Sequence, residues 1–229
     1  PFELMKKQSG DIASLPGQDI SMGSAVLYAP HFVVGSEWNT VLSVINLDGR
    51  PGKVKFQFVG ENGATVGTVQ LLDIPANGKL RIDNPSFFRQ PNPNRTYTGF
   101  VKITSDGVRL TGSVVFGNRS ETSFFSAVPL VSNPQKSVLY SHAVSNDLYS
   151  NGIAIVNPND TAVTAVLELY AADGRLMERK SEYIAAGRRL AKLLTEYFPT
   201  CAGKDVTSGY VKVSSDRPLA SFSLFGTGY

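Results

Sequence analysis

The 229-residue sequence predicts an all-β chain built from two copies of one unit, preceded by a fragment of a third. Three observations carry this. Short runs alternate apolar and polar residues. Turn dipeptides separate them at intervals of roughly 8–12 residues. The whole pattern recurs at a spacing of about 110 residues, the signature of a tandem duplication.

The alternation is plain in "KVKFQF", where Val54, Phe56 and Phe58 share one side and Lys53, Lys55 and Gln57 the other, the period of a half-buried strand. The run "VTAVLELY" repeats it in the second half. Asn62-Gly63, Asn77-Gly78, Asp106-Gly107 and Asp173-Gly174 accept positive φ with little strain, as tight turns require. Short strands at this spacing in a unit of about 100 residues point to an immunoglobulin-like β-sandwich. The Cys pair and core Trp of antibody domains are absent.

The repeat is read from matches in one order along the chain. "TGFVKITSD" answers "SGYVKVSSD", setting Gly99 against Gly209 and Asp106 against Asp216. "VLYAPH" answers "VLYSH", "SVINLD" answers "AIVNPND" with Asn46 against Asn157, and "IPANGKL" answers "IAAGRRL". Phe116-Gly117 answers Phe225-Gly226. The expected organisation is an orphan hairpin over 1–17, one sandwich over 18–132 and a second over 133–229.

The first 17 residues belong to the same scheme. "FELM" matches "SVVF" and "FSLF", while "DIASLPG" (Asp11 to Gly17) matches "FFSAVPL" (Phe124 to Leu130). The sequence therefore reads as starting with the final hairpin of a third copy and stopping after Tyr229 without the last strand of the second. Two arrangements fit: an excerpt of a longer repeat array, or a subunit whose N-terminal strand completes a neighbour's second sandwich. In the latter, Ile12, Ala13, Ser14, Leu15 and Pro16 form the donor strand, and Ile12 and Leu15 cover an open acceptor face at Leu219, Phe222 and Leu224. Against donation, "FELM" duplicates a strand already present as "FSLF".

One segment departs from the β pattern. "RRLAKLLTEYF" places Leu190, Leu193, Leu194 and Tyr197 at helical spacing before Pro199, which predicts a short helix or turn crossing between sheets. Its counterpart, "KLRIDNPSFFRQPNPN", reads as a strand and then an irregular loop.

Composition narrows the function. Hydrophobic residues make up 42% and charged residues 18%, enough apolar content for a packed core in each half. The net charge of +3 comes from 22 basic and 19 acidic residues that interleave without a dense basic run, which argues against nucleic acid. Cys201 is the single cysteine, so no disulfide framework holds the fold. No apolar run reaches the roughly 20 residues of a membrane-spanning helix, so no membrane insertion is expected. "PFELMKKQSG" lacks the features of a signal peptide, and a first residue of Pro1 reads as a processed or excerpted chain.

No catalytic constellation is legible. His31 and His142 occupy equivalent positions in the two copies, not metal-ligand spacing, and read as scaffold residues bonded within their own sandwich. Asp106 and Asp216 both fall in a Ser-Asp turn, where Asp caps the turn rather than acting as an acid or base. Phosphate-binding, dinucleotide-binding and nucleophile-elbow motifs are missing, so no cofactor, no metal and no enzyme activity are expected. Trp38, Tyr97, Tyr149 and Tyr210 form a candidate aromatic platform for sugars, weighed against ordinary strand packing. The triplets beginning at Asn94, Asn118 and Asn159 fit the N-glycosylation pattern.

Taken together, "PHFVVGSEWNTVLSVINL", "ENGATVG", "IPANG", "TGFVKITSDGVRLTGSVVFG" and "SAVPL" resemble the immunoglobulin-like repeat of bacterial secreted and cell-surface proteins. The resemblance covers nearly all the chain. It implies a β-sandwich repeat without established catalytic residues, located outside a bacterial cell. The expected role is structural or adhesive, with self-association or neighbouring repeats as partners and a fibre subunit as its extreme form. A carbohydrate-binding module with a glycan partner is the alternative.

Overall fold

A computed structural model describes residues 2–6, 12–92, 94–118, 125–201 and 206–227. Pro1, Asp11, Arg119, Ser120, Phe124 and Tyr229 of the motifs above lie outside the described residues. The chain is all-β and divides into two compact units, Pro1–Asn133 and Pro134–Tyr229, so the N-terminal hairpin segment groups with the first unit.

The first unit opens with a hairpin of β1 (Phe2–Lys6) and β2 (Ile12–Pro16). There follow β3 (Val26–Val34), β4 (Trp38–Asn46), β5 (Gly52–Gly60), β6 (Gln70–Ile74), β7 (Lys79–Ile82), β8 (Tyr97–Ser105), β9 (Leu110–Asn118) and β10 (Phe125–Pro129). They form two four-stranded antiparallel sheets, β3-β8-β5-β6 and β10-β9-β4-β7. As predicted, Val54, Phe56 and Phe58 point inward and are fully buried. Phe58 meets Phe32 at 4.8 Å and Phe88 at 5.5 Å, ring geometries that add to plain burial.

The second unit contains β11 (Gln135–Ser145), β12 (Tyr149–Val156), β13 (Val163–Ala171), β14 (Leu176–Ile184), β15 (Arg189–Leu193), the single turn α1 (Leu194–Tyr197) and β16 (Val206–Thr227). The first part of β16 pairs with β11 and β13, and its second part pairs with β12, which in turn pairs with β15. These ladders reproduce the two layers of the first unit. One long strand replaces β8 and β9, and no described strand stands where β10 stands in the first unit.

The duplication extends to the ladders. β3 slips register between Ala29 and Phe32, and β11 slips between Tyr140 and Ala143. Just past each bulge, Phe32 faces Gly99 and Ala143 faces Gly209. A Cβ on Gly99 would lie 2.0 Å from the Val59 carbonyl oxygen, and one on Gly209 would lie 2.6 Å from that of Tyr170. Both glycines are there because a neighbouring strand passes too close for a side chain.

Letter matching misplaces β11 by one residue. Val26 faces Thr104 and Ser137 faces Ser214, so "VLYAPH" corresponds to "SVLYSH" in space and Tyr28 to Leu139. The expected helix also shrinks. Leu190 faces Ile155 within a β-ladder, and only Leu194 to Tyr197 turn helically, with the Glu196 carboxylate accepting from the Leu193 amide at 2.7 Å. The matched turns differ as well. Asp106 does not cap its own turn: its carboxylate accepts from the Lys53 amide of β5 at 3.0 Å, while the Ser105 hydroxyl accepts from the Gly107 amide at 3.3 Å, and Gly107 takes φ +104°, which lets the chain bend between β8 and β9. Asp216 lies in no turn at all: it is followed by Arg217-Pro218 and lies inside β16, because proline holds φ near −65° and keeps the chain extended.

Candidate functional site

The hairpin β1-β2 and the hairpin β9-β10 have one register. Phe2 faces Pro16, Glu3 faces Leu15 and Leu4 faces Ser14, just as Ser113 faces Pro129, Val114 faces Val128 and Val115 faces Ala127. The sequence match between these segments is therefore a structural one. In a strand, residues three apart point to opposite faces. Leu15 is accordingly 8% exposed and Ile12 61%, so the two do not act on a common surface as the donor expectation had them. Ala13 and Leu15 pack on Ala127 of the same chain, with Met5, Val115 and Phe125 around them. Ser14 and Pro16 are exposed. The hairpin roofs a cleft of about 270 Å³ over the outer side of β4, β7 and β9.

The flank of the first sandwich is closed by β10. It ladders with β9, and beyond it Val131 exchanges backbone bonds with Tyr28 of β3, at 2.9 and 2.8 Å. The bracket ties both sheets together along one side. Tyr28 and Phe116 are then 7% and 3% exposed.

The second unit differs at this flank. Residues 223–226 of β16 ladder only with β12 among the described residues. Leu139, in the place of Tyr28, is 58% exposed, and Phe225, in the place of Phe116, is 45% exposed. The Phe225 ring carries two aromatic neighbours, Tyr149 stacked at 5.2 Å and His142 edge-on at 4.6 Å. Behind them Tyr140 donates its hydroxyl to Ser221 Oγ at 2.7 Å, and burial pushes its phenol well above the ordinary range. The site is an exposed strand edge, residues 223–226 of β16, with Leu139, Tyr149 and Phe225 exposed on the same flank. Leu139, Ser223 and Phe225 were missed in the sequence; the one-residue offset of "SVLYSH" hid the first.

The predicted acceptor residues are only partly exposed on this flank. Leu219 and Phe222 are buried and Leu224 is half-buried, so the apolar face expected to lie open there does not; what lies open is the strand edge. The candidate sugar platform is not brought together either. Trp38 and Tyr97 belong to the first unit, where Tyr97 accepts from the Asn92 amide at 3.2 Å and Arg95 lies over its ring. Tyr149 and Tyr210 belong to the second, and Tyr210 stacks at 4.9 Å on Tyr170, its cross-strand neighbour. A separate shallow cleft of about 410 Å³ lies beside Val166, Tyr183 and Asp216.

The histidines and buried polar residues of both units engage rings or backbone groups of their own unit. His31 packs on Phe116 at 4.8 Å, the counterpart of His142 on Phe225. Buried Thr40 accepts from the Val33 amide and donates to its carbonyl, and buried Asn151 at the same place in the second unit bonds Val144, His142 and Leu224. Asn159 donates to Asn157 and to the Pro218 carbonyl, which engages its amide, whereas Asn94 is exposed. Asn118 donates to Glu37 at 3.4 Å, and the rest of its triplet lies outside the described residues. Among the described residues there is no group of three or more His, Cys, Asp or Glu placed to hold a metal ion, and no helix is long and apolar enough to cross a membrane.

No protein-family model matches the sequence, and no curated protein matches it. Among solved structures, the chain is similar to the crystal structure of red sea bream transglutaminase at 10% identity and a TM-score of 0.24. That similarity covers 85% of this chain and spans 30% of the length of the transglutaminase chain.

Proposed function

We propose that the chain is a non-enzymatic structural or adhesive repeat module, immunoglobulin-like in kind, working outside a bacterial cell through self-association or through neighbouring repeats. The observation that carries this reading is the shared register of the hairpins β1-β2 and β9-β10, together with the seating of the first on the second. A closing hairpin of one unit resting on the next is how stacked repeats bury surface that a lone unit leaves wet. The buried polar residues support a structural role, since Asn46, Asn157, Thr40 and Asn151 are all engaged with backbone groups.

Sedimentation velocity and negative-stain imaging of the 229-residue chain over a wide concentration range test it. The expected result is concentration-dependent, linear assembly. A strict monomer that binds a defined glycan and loses it in Tyr149→Ala would replace this reading with the carbohydrate-binding one, which the exposed Tyr149–Phe225 stack favours.

A further inference from the structure

Resting on that reading, we propose that the open flank of the second unit is a docking site for strand β2 of a second copy of this chain, inserted between β11 and residues 223–226 of β16. The first unit supplies the template. There the same flank is filled by β10, whose order of side chains is apolar, small, small, apolar, proline: Phe125, Ser126, Ala127, Val128, Pro129. Strand β2 repeats that order as Ile12, Ala13, Ser14, Leu15, Pro16. It also repeats the register, because β2 sits against β1 as β10 sits against β9.

Carrying that register to β16 places Leu15 opposite Ser223, Ser14 opposite Leu224 and Ala13 opposite Phe225. The sizes are complementary. Leu15 is larger than Val128, and Ser223 is smaller than Val114, which faces Val128 in the first unit. Ser223 shares its face with Ser221, the acceptor of the Tyr140 hydroxyl, so an inserted Leu15 enters beside the Tyr140 ring. Small Ser14 leaves room for Leu224. The strand adds backbone pairing along an edge and covers Leu139 and Phe225, the general logic of strand addition.

The donor is available only when it parts from β1. Ala13 and Leu15 are buried on Ala127 in the closed hairpin, and on the open flank Leu15 would take the place of buried Val128, so the exchange trades one apolar seat for another. That makes assembly dependent on concentration and on opening of the β1-β2 hairpin, the usual behaviour of an exchanged element. The joint is heterologous, N-terminal strand to second unit, and propagates head to tail.

Cysteine trapping tests this in a Cys201→Ser background. Ser14→Cys in one chain and Leu224→Cys in another should give a disulfide-linked heterodimer in clear excess over either homodimer. Leu4→Cys with Ser14→Cys in one chain, residues that face each other in the closed hairpin, should lock β2 and abolish assembly until reduced. A peptide of residues 12–18 should raise the unfolding midpoint of the second unit by several degrees, and its Leu15→Asp form should not. Circular dichroism establishes that each variant is folded.

A folded pair without the heterodimer, or a locked chain that still assembles, overturns the proposal. So does stabilisation by a peptide of residues 125–131 but not by 12–18, which would make the occupant a β10-type strand from elsewhere. If the chain assembles without the Ser14–Leu224 link, strand exchange falls and the repeat-module reading stands. A chain that stays monomeric and ignores both peptides removes both, and one that stays monomeric yet binds the β2 peptide removes the second copy as occupant.

Discussion

Asn46 in the first unit and Asn157 in the second hold the same junction. Each is buried at the end of its strand, and each donates its amide across to the segment joining the next edge hairpin: Asn46 to the Arg50 and Pro75 carbonyls at 2.8 and 2.9 Å, Asn157 to those of Thr161, Ile184 and Ala185 at 2.8, 3.0 and 3.1 Å. Each also accepts from the amide two residues on, Asp48 or Asn159, at 3.0 Å. One side chain thus satisfies backbone groups from two loops that would otherwise be buried without partners.

Removing either clamp should be costly and local. Asn157→Ala leaves buried carbonyls unsatisfied, and a loss of about 2–3 kcal/mol is expected from that penalty. Trp38 is the single tryptophan and lies in the first unit, so its fluorescence reports that unit. Asn46→Ala should shift the fluorescence-detected denaturant midpoint, whereas Asn157→Ala should shift the circular dichroism transition and leave the fluorescence one in place.

Alanine at the two matched glycines should separate them by clearance. Gly99→Ala meets a carbonyl oxygen at 2.0 Å and Gly209→Ala at 2.6 Å. Overpacking costs of about 1–3 kcal/mol are expected, with Gly99 at the upper end. Equal midpoints for both variants in urea denaturation would contradict the geometry.

The histidines should tolerate replacement unequally. His31→Gln gives up a ring contact with a buried Phe116, and His142→Gln one with a Phe225 that is 45% exposed. The expected losses are about 1 kcal/mol and less than half that, on the scale of aromatic pairs. Thermal unfolding of the two single variants measures the difference.

The second unit should fail first in alkali. Burial raises the Tyr140 and Tyr197 hydroxyls far above their ordinary value of 10.0, so the folded unit keeps both protonated while the unfolded chain ionises. Their stabilising contribution is whole below pH 10.0 and falls as the pH rises from there towards the raised folded values. Unfolding midpoints measured from pH 8 to about 11 should decline most steeply above 10, and Tyr140→Phe with Tyr197→Phe should flatten that decline.

What the sequence disclosed was whatever the backbone demands twice. Gly99 and Gly209 mark a close approach of strands, Asn46 and Asn157 a buried junction, and both leave the same letter at the same spacing. Registers are less visible, because neighbouring apolar letters satisfy a match at more than one offset; "VLY" aligned by identity while the ladder set Val26 against Ser137's position. The helical spacing of Leu190, Leu193 and Leu194 misled for a related reason, since Leu190 also satisfies a period of two and its neighbour strand decides. The opposed faces of Ile12 and Leu15 follow from strand geometry alone and were open to reading. The exposed flank was not, because exposure depends on which strand is beside which.

Strand β16 gives the second unit a mechanical character that the first does not have. Its 22 residues run unbroken from one layer to the other, roughly 70 Å at the usual rise, whereas the turn at Gly107 divides the same path in the first unit. Tension along β16 is borne in shear by its ladders to β11, β13 and β12 together, like a tendon sewn to several sheets, so neither layer can slip while the other holds. The first unit has a joint at Gly107 where its two layers can yield in turn. Under load the two sandwiches should therefore part by different routes: the first in steps, the second in one event.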